Sequence, residues 1–424
     1  MGWRYLVVSI NGALYTLNAL RPNRTNRFVF GWSFFASWLT IELAPFHLIA
    51  QAIATVLFAR KGALRTRAGK VGLGLSIASW AGLSLIIKQS FDARREIREA
   101  LRGLGDDVPL GNDARVGEPT DTVWERHITF ARAGGKDLKM DVLAPRNPPA
   151  DGERRPVLIQ VHGGGWVLDS KEMQGQLLMT EMAEAGWVCA NVDYRLSPAA
   201  TFPEHLEDVK RAIAWMRSNA DRFDADPEFI AITGGSAGGH LTALAALTSG
   251  RQDLQPGFEF DDTSVQAAVP FYGVYDFSDR NGVWLPGTPE LFLAPWVMKS
   301  DPEEDPEMWR LASPIDQVGP GAPPFFVIHG DKDVLAPVED ARTFVEGLRA
   351  HPGNDVRYLE LHGAQHAFEM FPSIRANAVI PAAARYLNHI HRAHRAGSLN
   401  SPVAAVDATG DGTTSRADDI PSTT

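Results

Sequence analysis

The chain runs to 424 residues, 45% hydrophobic and 22% charged, which is room for one large globular domain and something added to it. A formal net charge of −10, with no dense Lys/Arg run, excludes a nucleic-acid surface. The single cysteine, Cys189, lies in an apolar run over 187–192; it excludes an internal disulfide and reads as a core thiol, and there is no Cys/His spacing for a metal.

Residues 1–90 differ in character from the rest of the chain. The stretch 28–59 is almost wholly apolar, broken by Glu42, Pro45 and His47. At about 1.5 Å per residue it is longer than one straight span and short for two. Pro45 predicts a kinked helix or a tight hairpin that dips into a bilayer. A second apolar run, 71–87, sits at the lower length limit for a span. Residues 5–20 suit an interfacial helix. The loop between the two runs carries Arg60, Lys61, Arg65, Arg67 and Lys70 and no acid, so the positive-inside rule makes it cytoplasmic and puts the following domain on the outer side of a cell membrane. Arg21, Arg24 and Arg27 before the first run, and Lys88, Arg94 and Arg95 after the second, weaken that bias. A soluble helical hairpin packed on the catalytic domain is the competing reading. Glu42 reads as a bend-site residue or helix-pair partner rather than a functional acid. Charge pairing over 92–102 predicts a helix beside the membrane, and the Gly/Asp/Pro-rich remainder to 118 reads as a linker.

Residues 119–395 alternate strand and helix patterns. Two strands over 124–131 and 138–143 are joined by a Gly134-Gly135 turn. Further strands are expected at 157–161, 187–193, 229–233, 265–272, 325–329 and 356–361. Helices are expected at 173–185, 203–218, after Ser236, at 338–348 and at 376–391. Buried strands alternating with helices mean an α/β fold, a mostly parallel sheet covered on both faces. Residues 274–321, rich in Trp, Phe and Pro, fit an insertion or lid, and 396–424 fit a disordered tail.

Ligands of such a sheet gather outside the carboxyl ends of its strands, so the residues just after each strand carry the chemistry. Gly234-Gly235-Ser236-Ala237-Gly238 has the G-x-S-x-G pattern of a nucleophile elbow, with Ser236 exposed at a helix N-terminus. His162-Gly163-Gly164-Gly165-Trp166 offers backbone N–H groups to a developing oxyanion, with Ala237 supplying another; Gly164 and Gly165 are favoured among the three glycines. Asp333 is the stronger candidate acid, ahead of Asp331, which an Asx-turn explains, and of Asp276 as a fallback. His366, deep in its loop and followed by Phe368, is the candidate base. His362 and His240 read as structural residues, and Arg195 with Asp208 as a buried ion pair. Trp166, Tyr272, Trp284 and Phe292 are candidates for an apolar substrate pocket.

The set His162-Gly163-Gly164-Gly165-Trp166, Asp193-Tyr194-Arg195-Leu196-Ser197-Pro198, Gly234-Gly235-Ser236-Ala237-Gly238-Gly239 and His366-Ala367-Phe368 resembles the hormone-sensitive-lipase-like esterase family over roughly 120–395. The resemblance implies an α/β-hydrolase fold and hydrolysis of small-molecule or lipid carboxylic esters without a metal or other cofactor. By position it implies Ser236 as nucleophile, His366 as base, Asp333 as acid and Gly164, Gly165 and Ala237 as oxyanion donors. Two features depart from the family pattern: Gly235 stands where it usually has Asp, and Gly330-Asp331-Lys332-Asp333 stands where it usually has an Asp-Pro-Leu context. With an apolar N-terminal extension the whole looks like the membrane-attached esterases of actinobacteria. The alternatives are an amidase, arylformamidase or peptidase with the same triad, and a catalytically silent membrane-anchored binding protein.

Overall fold

The computed structural model describes residues 1–26, 28–104, 121–149 and 152–398. The expected linker and the expected tail lie almost wholly outside these residues.

Eight strands form one sheet in the order β1-β2-β4-β3-β5-β6-β7-β8: β1 Thr122–Ala133, β2 Lys136–Pro145, β3 Arg155–Val161, β4 Val188–Val192, β5 Ala225–Gly235, β6 Ala267–Phe271, β7 Phe325–Gly330 and β8 Val356–Leu361. β1 and β2 pair antiparallel, β2 meets β4 antiparallel, and every other pairing is parallel. The central strands are apolar at nearly every position because both faces are covered. Ile230 and Ile232 of β5 enter one core layer, while Phe229 and Ala231 enter the other.

Four helices open the chain: α1 Gly2–Leu20, α2 Phe30–Glu42, α3 Ala44–Arg60 and α4 Arg67–Ala100. Six more lie within the sheet region: α5 Gln176–Glu184, α6 Glu204–Ser218, α7 Ala237–Leu247, α8 Pro306–Ala312, α9 Val338–Arg349 and α10 Ala376–Arg395. α6, α7 and α9 cover the first sheet face; α5, α10 and the last third of α4 cover the second. The apolar run at 71–87 and the charged helix at 92–102, expected as separate elements, are one continuous helix. Ala93 and Ile97 are apolar at positions that face the sheet, so the charged segment has a core stripe of its own and the helix has no reason to stop. α4 is also the one helix among the described residues that is by itself long and apolar enough to cross a membrane.

α2 and α3 meet at Leu43 with an 86° bend. Pro45 sits in the first turn of α3, where its missing N–H costs nothing, so the proline starts a helix rather than kinking one. α1 runs parallel to α4 and antiparallel to α3. Tyr5 Oη is 3.0 Å from Thr55 Oγ1 and 3.1 Å from Ser76 Oγ, and Thr16 Oγ1 is 2.7 Å from Ser79 Oγ. This interior sets hydroxyls beside a small apolar cluster of Ala19, Ile41, Ala44, Leu83 and Ile86, whereas Trp3, Leu14, Leu17, Ile49, Ile53 and Leu57 face outward.

α2 lies against the sheet region. Its last residue, Glu42, is buried, ion-paired to Arg375 at 2.6 Å and accepting from Ser373 Oγ at 2.6 Å. Glu42 does have a pairing role, but its partner lies across the seam in the sheet region rather than on a neighbouring N-terminal helix. Truncating one side of a buried pair strands the other charge, a loss of about 3–5 kcal/mol. Glu42→Ala should lower the unfolding free energy of the detergent-solubilised chain by about that much. Denaturant unfolding showing a change under about 1 kcal/mol would mean the pair is solvated.

Candidate active site

β5 runs straight into α7 through Ser236, whose φ of 61° and ψ of −122° belong to the first central residue of a type II′ turn, a place normally taken by glycine. The backbone can be bent this sharply because glycines flank it. A Cβ on Gly234 would lie 2.5 Å from the Val161 carbonyl oxygen, and one on Gly238 would collide with the same atom. Ala237 opens α7, so its N–H has no carbonyl one turn back to receive it. One turn further, His240 is a packing residue: Nδ1 accepts from Trp166 Nε1 at 3.2 Å, and Nε2 donates to the Ala312 carbonyl at 2.7 Å. Burial pushes its pKa down to about 3, so it stays neutral.

The loop after β3 carries the glycines. Gly164, at φ 92°, and Gly165 line a cavity of about 590 Å³ together with Ser236 and His366. Gly163 does not belong with them. Its N–H donates to Gln174 Oε1 at 2.7 Å, so it is already engaged and is not free to meet an oxyanion. Tyr194 braces the loop from below, donating to the Gly163 carbonyl at 3.0 Å and stacking on His162 at 4.4 Å. Arg195 bonds Asp208 through Nε at 2.7 Å and Nη2 at 2.8 Å, which fixes the segment that carries Tyr194.

His366 and Asp333 meet from the loops after β8 and β7. His366 Nδ1–H donates to Asp333 Oδ2 at 2.6 Å, leaving Nε2 as the basic atom of the ring. The other oxygen, Oδ1, accepts from the backbone N–H groups of Leu335 and Ala336, each at 2.8 Å. Burial alone would raise the Asp333 carboxyl. The His366 and His329 rings and their hydrogen bonds outweigh it and hold the group well below the usual carboxylate range. The other two acids are committed elsewhere. Asp331 accepts from His362 Nδ1 at 2.6 Å, and Asp276 is paired to Arg280 at 2.9 Å.

Of the expected pocket residues, Trp166, Trp284 and Phe292 line the cavity; Tyr272 does not. Tyr272 is turned into the core behind His366, its ring 4.4 Å from the imidazole, and its hydroxyl donates to Glu369. That hydroxyl also explains Gly235, since a Cβ there would lie 2.7 Å from it. The residues least visible in the sequence are those of α2: Phe30, Phe34, Phe35 and Trp38 form one wall of the cavity. His329 beside Asp333, Gln174 beneath Gly163 and the buried Gln365 were also missed. The first ends a strand and the others are single polar residues in loops, with no local pattern to mark them. One convergent His/Asp/Glu group exists among the described residues, His127, Asp141 and Glu172. The Lys171 ammonium, 3.6 Å from Asp141 and 2.6 Å from Glu172, already balances it as an ion-pair cluster.

Burial pushes Glu369 up to about 7, with the Tyr272 hydrogen bond opposing. A raised acid stabilises the fold fully below its unfolded pKa near 4.5, and that contribution is lost as pH rises through the folded value. Relative to Glu369→Gln, the wild type should therefore lose about 3 kcal/mol between pH 4.5 and 7 and stay level above. Thermal unfolding across that range reads the difference, and a pH-independent difference would contradict the protonated carboxyl.

The comparisons with known proteins agree with this architecture. Residues 140–348 match the BD-FAE family. The probable carboxylic ester hydrolase LipM of Mycobacterium tuberculosis is 37% identical over 95% of this chain and 96% of its own, a span that includes most of the first hundred residues. Esterase LipQ of the same organism is 45% identical over 64% of this chain and 65% of its own. Among solved structures, the Est2 esterase of Thermogutta terrifontis with propionate bound is 25% identical with a TM-score of 0.50, covering 66% of this chain and 96% of that one. The chain belongs to the hormone-sensitive-lipase-like α/β-hydrolase family of carboxylic ester hydrolases.

Proposed function

We propose that the chain hydrolyses apolar carboxylic esters through an acyl-enzyme on Ser236, at the surface of a bilayer that holds residues 1–90. The single observation that carries the chemistry is the 2.6 Å His366–Asp333 hydrogen bond opening onto the cavity that Ser236 also lines. His366 Nε2 takes the Ser236 proton as Oγ attacks the ester carbonyl, and Asp333 stabilises the imidazolium that forms. The N–H groups of Gly164, Gly165 and Ala237 receive the oxyanion. The alcohol leaves with the proton from His366, and water, deprotonated by the same ring, releases the acid.

The membrane reading rests on the outer surface of the N-terminal helices. Ser9, Thr16, Ser76 and Ser79 are buried between them beside a small apolar cluster, while large apolar side chains cover the outside, where a water-soluble bundle would carry charge. α3, with 17 residues, spans about 25 Å. It runs from the catalytic side to the basic loop at 60–70; the acid-free charge of that loop supports a cytoplasmic loop and an outer catalytic domain, against the opposing bias of Arg21, Arg24, Lys88 and Arg94. We assign residues 119–395 to that domain, with 274–321 as an inserted cover. Phe35 and Leu168 both line the cavity and are largely exposed, at 59% and 68%, so its mouth opens on apolar surface suited to an acyl chain.

Ser236→Ala should cut p-nitrophenyl ester hydrolysis by about 1,000-fold or more with the circular dichroism unchanged. Retained hydrolysis would overturn the nucleophile. Matched short esters and anilides separate an esterase from an amidase or peptidase, and the ester should be favoured. The chain should stay in the membrane pellet through alkaline carbonate and leave it only with detergent; release by carbonate would overturn the embedded reading.

A further inference from the structure

Gln365, next to the base, is fully buried, and its side chain makes three hydrogen bonds that all point to one task. Oε1 accepts from the N–H of Val334, the residue after Asp333, at 2.9 Å. It also accepts from the N–H of His366 at 2.9 Å. Nε2 donates to Ser37 Oγ of α2 at 2.9 Å. The Ser37 hydroxyl gives its own proton to the Phe34 carbonyl at 3.0 Å, so its lone pair is what Gln365 finds. The amide can therefore sit only one way round, because a flip would set NH₂ against two N–H groups. On the other side of the base, Trp38 Nε1 donates to the Ala367 carbonyl at 2.9 Å, and the Phe34 ring meets the His366 ring edge-on at 6.2 Å.

We propose that Gln365 is a positioning residue through which helix α2 of the N-terminal region holds the base loop and the acid loop in register. It touches neither substrate nor the reacting atoms. The proposal rests on the triad reading above, and it makes the N-terminal helices part of the catalytic apparatus rather than a tether. One acceptor oxygen ties the β7 loop to the β8 loop, and its amide nitrogen is anchored 328 residues away in sequence. A small drift of His366 relative to Ser236 is enough to lower the rate steeply.

The test uses the full chain in detergent with a short soluble ester and rates normalised to active sites counted by the acyl-enzyme burst. Gln365→Ala should lower kcat about 10- to 100-fold with KM within about twofold. Ser37→Ala, which leaves the catalytic domain's own residues intact, should lower kcat about 3- to 10-fold in the same manner. Gln365→Glu keeps the acceptor oxygen, so it should recover part of the alanine loss. Its added charge beside the imidazolium should move the acidic limb of the pH–rate profile upward. A merely structural role would reduce the number of active sites and leave kcat per site and the pH limb unmoved; that result overturns the proposal. If Gln365→Ala does not fold, Ser37→Ala and Trp38→Phe decide it, and an unchanged kcat per site in both overturns it. A Ser236→Ala chain that still turns over would instead remove the triad reading.

Discussion

A carboxylate kept ionised with no access to water is the constraint on which the site depends. Asp333 is fully buried, and a bare carboxylate in that position would take up a proton. It is held charged by two backbone N–H groups on one oxygen and by the His366 and His329 rings at the other. Those donors exist only because the β7 strand ends in a turn that aims N–H groups inward and because β8 delivers its loop alongside. The parallel register is thus an electrostatic requirement of the site as well as a packing solution. It stations both loops at the same edge of the sheet as the elbow after β5.

The second constraint is the seam between two kinds of packing. The N-terminal helices bury hydroxyls beside a small apolar cluster, and they expose aliphatic and aromatic surface. The sheet region packs by apolar layers and exposes charge. α2 belongs to both. Its Phe35 faces out, while Ser37, Trp38 and Glu42 reach polar partners in the other half. Ser37 and Glu42 are buried and Trp38 half-buried, and their partners converge on the segment 365–375 that includes His366. Arg24 with Glu339 at 2.8 Å, and Gln89 with His362 at 3.0 Å, add further ties along the same boundary.

What could be read in the sequence was whatever repeats locally. Short apolar runs placed the strands, since a strand covered on both faces must be apolar at Ile230 and Ile232 and equally at Ala231. Glycine clusters marked the elbow and the loop after β3, because close backbone approach admits no Cβ. The bend near Pro45 was visible as a proline in an apolar run, although the chain turns two residues earlier and the proline caps the next helix. What could not be read depends on partners far apart in the chain. The N–H of Gly163 looks like its neighbours' until Gln174 is folded against it. Tyr272 follows a strand as a pocket residue would, but Glu369, 97 positions later, draws its hydroxyl inward. The aromatic wall of α2 reads as generic membrane sequence until the fold sets Phe34 against the His366 ring.

The same ties decide how the cavity lined by Ser236 can open. Lifting α2 off the cavity would break the Ser37–Gln365 and Trp38–Ala367 hydrogen bonds and strand Arg375 away from Glu42. With a buried ion pair, one buried and one half-buried hydrogen bond at stake, that opening costs about 5 kcal/mol, which leaves fewer than about one molecule in a thousand open. α2 is therefore a fixed wall rather than a door. Passage belongs to the rim that carries no such bonds, where Phe35 and Leu168 stand exposed beside Gly164 and Gly165. That apolar edge runs from the outer face of the helices into the cavity lined by Ser236, so the low-polarity surface is continuous up to the point where the Gly164 and Gly165 backbone lines the wall.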